Sequence, residues 1–167
     1  VYEERRARPG WGAGVTPAFL IAFLRGELHP VSELSRAFTS PESPQALGHA
    51  YYQASLVCEM IARDHGVPAL RRIVEGFAAG SPADAVFRSA LGVEIAAFDR
   101  RFDEYVRSRF AVPLAALDPR DFAAQLAAGR AALEAGDLEN AERFLELAKV
   151  MFVEYGGADS PYWYLAE

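Results

Sequence analysis

The amino-acid sequence predicts an all-α protein, and three features of the chain support this fold class. Ala, Leu, Arg and Glu, which favour helices, dominate the composition, and the alternation of apolar and polar residues that is typical of strands is absent. Gly and Pro recur as breaks between apolar segments of helical length. Of the 167 residues, 51% are hydrophobic and 24% are charged, which is typical of a globular protein with a buried core.

Helix boundaries in the first two thirds of the chain are predicted from Pro, Ser, Thr and Gly. Thr16 has the character of an N-cap with Pro17 at the first helical position, and Ser43-Pro44 repeats this pattern before the longest helix. Gly66 ends that helix as a favourable C-cap residue. The helices predicted in this way cover 17–26, 30–38, 45–65, 68–79, 82–91 and 93–110.

The helix predicted over 93–110 is amphipathic. Its apolar residues recur at spacings of three and four, which places them on one buried face, and they are Ile95, Phe98, Phe102, Tyr105 and Val106. The charged residues of the opposite face are expected to contact solvent, and they are Asp99, Arg100, Asp103, Arg107 and Arg109.

Two further helices are predicted after a segment at 112–118 that prolines interrupt. They cover 122–135 and 138–152 and flank a tight turn at Gly136-Asp137. Small residues stand where two antiparallel helices must approach closely, and a bulky leucine fills the groove between them. In chain order these residues are Ala128, Gly129, Ala141, Leu145 and Ala148.

This spacing resembles a tetratricopeptide repeat, and Trp163, Leu165 and Ala166 resemble the start of a second one. The resemblance implies a surface that binds a protein partner, and further repeats, because such arrays need about three units for stability. An ordinary helical hairpin is the alternative. The predicted organisation is a helical subdomain over 1–111, a linker over 112–118, and a repeat with the start of the next over 119–167.

Two segments of the first 111 residues carry a second resemblance. Residues 1–4 (VYEE) are similar to the tail of the Glu-Gly-x-Ala/Ser-x-Tyr pattern that supplies the third zinc ligand in gluzincin metallopeptidases. Residues 51–54 (YYQA) are similar to the Tyr-x-Gln-x pattern of gluzincins that are often fused to tetratricopeptide repeats. The resemblance implies the helical part of a thermolysin-like (peptidase MA-like) domain, cut from a longer polypeptide, with the His-Glu-x-x-His helix and the zinc ligands before Val1.

The resemblance implies a catalytic role for Tyr51. A phenol stays protonated at neutral pH and would donate a hydrogen bond to the oxyanion that forms when zinc-activated water attacks a peptide carbonyl. Tyr52 is the alternative, because one helical position turns a side chain through about 100°. Packing of both tyrosines in a helix interface is the other interpretation. Gln53 stands where related aminopeptidases have Lys, so an endopeptidase or an inactive site is open beside an aminopeptidase.

His49 and Trp11 are the other candidate residues, both as parts of a substrate cleft. His49 stands two residues before Tyr51, although a capping or solvent-facing role is the simpler interpretation. Trp11 lies in a glycine-rich loop, where it would form a wall of the cleft or anchor the loop to the core. Cys58 is the one cysteine of the sequence, and its apolar helical context predicts a buried structural thiol.

Zinc is the cofactor that the resemblance implies for the parent protein, and this chain alone is expected to bind none. No two of its three histidines stand four residues apart, as the two histidine ligands of a His-Glu-x-x-His helix do. The net charge of −6, with scattered Lys and Arg, opposes nucleic-acid binding. No apolar run approaches the roughly 20 residues of a membrane span.

Two function classes follow from these observations. The first is a zinc-dependent peptidase that hydrolyses a peptide or protein substrate, and the second is a non-catalytic helical scaffold that binds protein partners through tetratricopeptide repeats. A His-Glu-x-x-His helix upstream of Val1 would separate the two classes. The sequence leaves the compartment open, and a bacterial, exported or membrane-associated parent is compatible with the resemblance.

Overall fold

The computed structural model describes residues 14–153, 155–156 and 160–166, and all regular structure in these ranges is helical. The predicted all-α fold class is therefore confirmed. The elements are α1 (Pro17–Leu24), a 3₁₀ turn (Val31–Glu33), α2 (Leu34–Thr39), α3 (Pro44–His65), α4 (Val67–Ala78), α5 (Ala83–Leu91), α6 (Ile95–Arg109), α7 (Ala111–Ala116), α8 (Pro119–Glu134), α9 (Leu138–Met151) and α10 (Pro161–Leu165).

Two compact units make up the described chain. The first unit is Gly26–Arg109, which holds the 3₁₀ turn and helices α2 to α6. The second unit joins the described residues before 26 to those after 109, so it holds α1 and helices α7 to α10. The sequence placed the whole of 1–111 in one subdomain, and α1 is the element whose grouping differs. Pro17 and Ile21 of α1 line a cavity of about 250 Å³ together with Phe122 and Leu126 of α8.

Side-chain oxygens begin several helices, as the sequence predicted for two of them. The Thr16 hydroxyl accepts a hydrogen bond from the amide of Phe19 at 3.2 Å, and Ser43 caps α3 in the same way. Asp118 uses the same pattern, because its carboxylate accepts from the amide of Arg120 at 2.8 Å. Helix α8 therefore begins at Pro119, three residues before the predicted start at Phe122.

The predicted linker over 112–118 is largely helical, because α7 covers Ala111–Ala116. Pro113 had been interpreted as a break in the helical pattern. It stands in the first turn of α7, where an amide N–H has no partner within the helix and a proline is tolerated. The segment between the predicted domains is thus mostly a short helix that ends at Ala116, with Leu117 as its C-cap.

The core of the first unit forms around α6. Phe98, Phe102, Tyr105 and Val106 are all buried, as the spacing of three and four predicted, whereas Ile95 is partly exposed. Phe98 packs edge-on against Phe87 of α5, with ring centroids 5.0 Å apart.

Asp99 corrects the prediction for the opposite face of α6. It does not simply contact solvent, because its carboxylate accepts hydrogen bonds from the Ser32 amide at 3.1 Å and the Ser32 hydroxyl at 2.7 Å. Asp99 therefore fixes the 3₁₀ turn to α6 within the first unit.

The core of the second unit contains a hairpin of α8 and α9. Ala141, Leu145 and Ala148 of α9 are at most 2% exposed, as predicted for the helix contact. A Cβ added to Gly129 of α8 would lie 2.7 Å from Cγ of Leu145, so the hairpin has no room for a larger residue at this position. Gly136 makes the turn with a φ of 75°, a left-handed conformation that favours glycine.

Candidate functional site

Tyr51 lies in the second turn of α3, where most of its side chain reaches the surface. The residue is 63% exposed. Its ring contacts Phe38 of α2 in an edge-to-face arrangement, with centroids 5.0 Å apart and an interplanar angle of 75°. One side of the ring is therefore held by an aromatic neighbour while the rest of the phenol is accessible to a ligand.

Tyr52, the alternative candidate, has different surroundings. It is half-buried, and its backbone carbonyl accepts a hydrogen bond from the Ser55 hydroxyl at 2.7 Å. One helical position separates its direction from that of Tyr51 by about 100°. Tyr51 is therefore the more exposed of the two tyrosines.

His49 is half-buried on α3 and lies in the electrostatic field of Glu27. Burial lowers the pKa of its imidazole, and the Glu27 carboxylate opposes this shift. Two helical positions, about 200° of rotation, separate His49 from Tyr51, so the two side chains leave α3 in nearly opposite directions. Trp11 lies outside the described residues.

The structure brings Tyr51 together with Phe38, a residue that the sequence did not single out for the site.

Gln53 acquires a structural role that the sequence comparison with Lys did not reveal. It is 3% exposed, and its Nε2 donates a hydrogen bond to the backbone carbonyl of His29 at 2.7 Å. This bond ties α3 to the loop before the 3₁₀ turn. The sequence could have indicated this bond, because Gln53 stands within an apolar helical stretch and buried amides are normally hydrogen-bonded.

An apolar groove opens on the first unit between α2, α3, α4 and α5. Its volume is about 390 Å³, and none of the described residues that line it is charged. Prominent lining residues are Phe38, Val57, Cys58, Ile73, Phe77 and Phe87. Val74 and Phe77 remain 66% and 48% exposed, so the groove presents apolar surface to solvent. Phe38 belongs both to this groove and to the contact with Tyr51.

Cys58 is exposed, so the prediction of a buried structural thiol was wrong. The apolar residues that suggested burial line an open groove instead of a closed core. Neighbouring side chains still bury the thiol enough to raise its pKa. A raised pKa keeps sulfur protonated at neutral pH, and the protonated form is a poor nucleophile.

Charged and aromatic side chains connect α3 to α6 on another face of the first unit. Arg109 forms an ion pair with Glu59 and donates a hydrogen bond to the Tyr105 hydroxyl at 3.1 Å. The guanidinium of Arg63 lies 4.8 Å from the centre of the Tyr105 ring. Burial raises the pKa of Tyr105. These contacts fasten the two helices together.

The residues that the structure describes do not fit a zinc site. Among them, no group of three or more His, Cys, Asp or Glu side chains could hold a metal ion. Within the same ranges, no helix combines the length and the apolar character that a membrane crossing requires.

Comparisons with known proteins return no family model, no curated protein and no solved structure that matches this chain.

Proposed function

We propose that this chain is the helical part of a gluzincin-type zinc metallopeptidase, downstream of the metal-binding helix and joined to tetratricopeptide repeats. The observation that supports the proposal is Tyr51, whose phenol is exposed at the position that the Tyr-x-Gln-x pattern assigns to an oxyanion donor. Because the described residues do not fit zinc, the proposal assigns all zinc ligands to residues that precede Val1 in the parent polypeptide.

Tyr51 would act as a hydrogen-bond donor to the transition state. When water attacks a peptide carbonyl, negative charge develops on the carbonyl oxygen, and a phenol O–H directed at that oxygen favours the tetrahedral state over the planar one. The exposure of Tyr51 lets a substrate approach the phenol, and the contact with Phe38 restrains the ring. The half-buried position of Tyr52 makes it the weaker candidate.

The α8–α9 hairpin supports the repeat part of the proposal. Tetratricopeptide repeats place small residues where their two helices cross, and Gly129 approaches Leu145 in this way beside the buried Ala141 and Ala148. In this proposal α10, with Trp163, begins the following repeat and contributes to a surface for a protein partner.

The apolar groove favours a second candidate function, a non-catalytic helical module that binds protein. Exposed apolar grooves between helices commonly accept the apolar face of an amphipathic helix. In this interpretation Val74 and Phe77 would contact the bound helix, and Tyr51 would be a surface residue without a chemical role.

Cleavage and metal content of the parent protein separate the two functions. The peptidase proposal expects a His-Glu-x-x-His helix followed by Glu-Gly upstream of Val1, one zinc per chain, and hydrolysis of unstructured protein such as casein that stops on chelation. A parent protein without zinc and without hydrolysis would favour the binding module. Binding by the module should then weaken in Phe77→Glu and persist in Tyr51→Phe.

A further inference from the structure

Helix α4 presents an apolar stripe to solvent along the edge of the groove. The members of the stripe recur at spacings of three and four residues, which brings them to one face of the helix, and they are Val67, Leu70, Val74 and Phe77. Val67, Val74 and Phe77 are 64%, 66% and 48% exposed, so the stripe is an apolar surface without a cover. The last three members also line the groove. Helix α4 therefore combines an apolar helix face with one wall of a groove that suits such a face.

We propose that this stripe binds a second copy of the chain, with the two α4 helices packed antiparallel about a twofold axis near position 72. A twofold interface uses the same surface on both copies, so the surface must be complementary to itself. An axis at this position places Val67 opposite Phe77 of the second copy. Leu70 then lies opposite Val74 in the same way, and each helix covers part of the mouth of the other copy's groove. The proposal depends on neither of the functions proposed above.

Two charged residues beside the stripe favour the antiparallel arrangement. Arg71 and Glu75 are exposed and, at a spacing of four, lie on the same side of α4. In the antiparallel pair this side is shared by both copies, and the charges along it follow the order Glu, Arg, Arg, Glu. Each Arg71 is then about 3 Å along the helix axis from a Glu75 of the other copy, because two positions at the rise of an α-helix separate them. A parallel pair would place these charges on opposite sides and lose both contacts.

The balance of charge beside the stripe matters because the chain as a whole is acidic. A net charge of −6 on each copy opposes their close approach over most of the surface. The stripe is apolar, and the charges beside it sum to zero in the pair. This face is therefore suited to an approach by a second copy.

Contacts with α5 hold α4 in place for such an encounter. The guanidinium of Arg72 donates a hydrogen bond to the Ala90 carbonyl at 3.0 Å. A Cβ added to Gly76 would lie 3.0 Å from a methyl carbon of Val86, which shows how closely the two helices approach. Association of two copies would therefore require little further ordering of the backbone, and this lowers the entropic cost of binding.

The test is the oligomeric state of the tag-free 167-residue chain, measured by sedimentation equilibrium. We expect a reversible dimer with a Kd on the order of 10 µM, because two helices of 12 residues form a small interface. Val74→Arg should raise this Kd about 100-fold, since each of two symmetric sites loses a buried valine and gains a charge. Val112→Arg is the matched control, because Val112 is 81% exposed on α7 and belongs neither to the stripe nor to the groove lining. Its Kd should equal that of the wild type.

Charge reversal tests the antiparallel pairing separately. Arg71→Glu gives four negative charges along the shared side and Glu75→Arg gives four positive charges, so each single change should raise Kd about 10-fold. The double variant restores two charges of each sign, and its Kd should return to within about 3-fold of the wild type. Both residues are exposed, and thermal melts check that every variant folds.

Each result either supports or overturns the proposal. A wild-type chain that stays monomeric up to about 200 µM overturns it, and so does a monomer that binds another protein through Phe77, as the second candidate function expects. A dimer that Val74→Arg and Val112→Arg weaken equally overturns the assignment to α4. A double charge variant no tighter than the single variants overturns the antiparallel pairing. If Val74→Arg does not fold, the charge variants decide by themselves.

Discussion

At the scale of single residues, Tyr51 and Tyr52 offer the sharpest comparison in the chain. Under the proposed peptidase function, Tyr51→Phe should lower the kcat of the parent protein by roughly 100-fold, because the change would remove one oxyanion donor and keep the ring. Substrate affinity and melting temperature should change little, since a single exposed hydroxyl is removed. Tyr52→Phe should be the milder change. Steady-state kinetics check both variants; a large loss confined to Tyr52→Phe would shift the catalytic role by one residue, and two active variants would make both tyrosines structural.

The lowered pKa of His49 should make the free energy of unfolding depend on pH. Burial holds the pKa of its imidazole in the folded chain below the ordinary value of about 6.5. Below that pH the unfolded chain therefore binds more protons at this residue than the folded chain does, so its contribution to the free energy of unfolding falls as pH decreases from 7 to 5. His49→Gln should reduce this decline in chemical denaturation experiments at several pH values. An equal decline in the variant would assign the effect to other groups.

The sequence pointed to individual site residues only where they fall in a known motif. Tyr51 and Tyr52 could be selected from the Tyr-x-Gln-x resemblance, but their relative exposure depends on which face of α3 meets α2. Phe38 lies in the short helix predicted over 30–38, and no motif of the sequence assigns it to a site. Its contact with Tyr51 joins separate helices, and no periodicity within either helix encodes that pairing. The exposure of Cys58 was missed for the same reason, because an apolar stripe can line a groove as well as a core.

At the scale of secondary-structure elements, the hydrogen bonds from Ser32 to Asp99 should stabilise the 3₁₀ turn against α6. Asp99→Ala should lower the free energy of unfolding by about 1–3 kcal/mol, because the partly buried amide and hydroxyl of Ser32 lose their acceptor. Asp103→Ala is the matched control on the same helix, since Asp103 forms an exposed ion pair with Arg107. Its effect should stay within about 0.5 kcal/mol. Urea titrations compare the two variants, and equal effects would remove the structural role of Asp99.

The close approach of Gly129 to Leu145 allows a prediction for the stability of the α8–α9 hairpin. Gly129→Ala should destabilise by about 1–3 kcal/mol, because the new methyl group meets Leu145 at 2.7 Å. Gly48→Ala provides the control in α3, where the added Cβ meets no atom within 4 Å. That change should stabilise by up to about 1 kcal/mol through helix propensity.

A double-mutant cycle extends the test of the hairpin. In a Leu145→Ala background the Gly129→Ala change should cost clearly less, because the side chain that it would meet has been shortened. Additive free energies of unfolding would show that the two residues do not interact.

Helix boundaries were predictable where local chemistry determines them. Thr16-Pro17 and Ser43-Pro44 were recognised, and the structure begins α1 and α3 at those prolines. The same N-cap and proline pair at Asp118-Pro119 was interpreted as a break, so α8 was predicted three residues short and α7 was missed. Proline is ambiguous in this way because it stops a helix from within and starts one from its first turn.

At the scale of the whole molecule, the grouping of helices depends on contacts between residues far apart in sequence. Helix α1 is separated from α8 by about 90 residues, yet both belong to the second compact unit. Amphipathic spacing tells which face of a helix is buried and leaves open which helix covers it. The apolar groove has the same origin, since α2, α3, α4 and α5 must assemble before their side chains enclose it.

Zinc binding by the 167-residue chain can be tested directly. This chain alone should bind no stoichiometric zinc and cleave no peptide, because zinc sites in enzymes use three protein ligands in close tetrahedral geometry. No such set exists among the residues that the structure describes. Elemental analysis of tag-free protein after dialysis measures the metal, with the parent polypeptide, expected to hold one zinc, as the positive control. One tightly bound zinc per chain in the 167-residue protein would contradict the assignment of the ligands to residues before Val1.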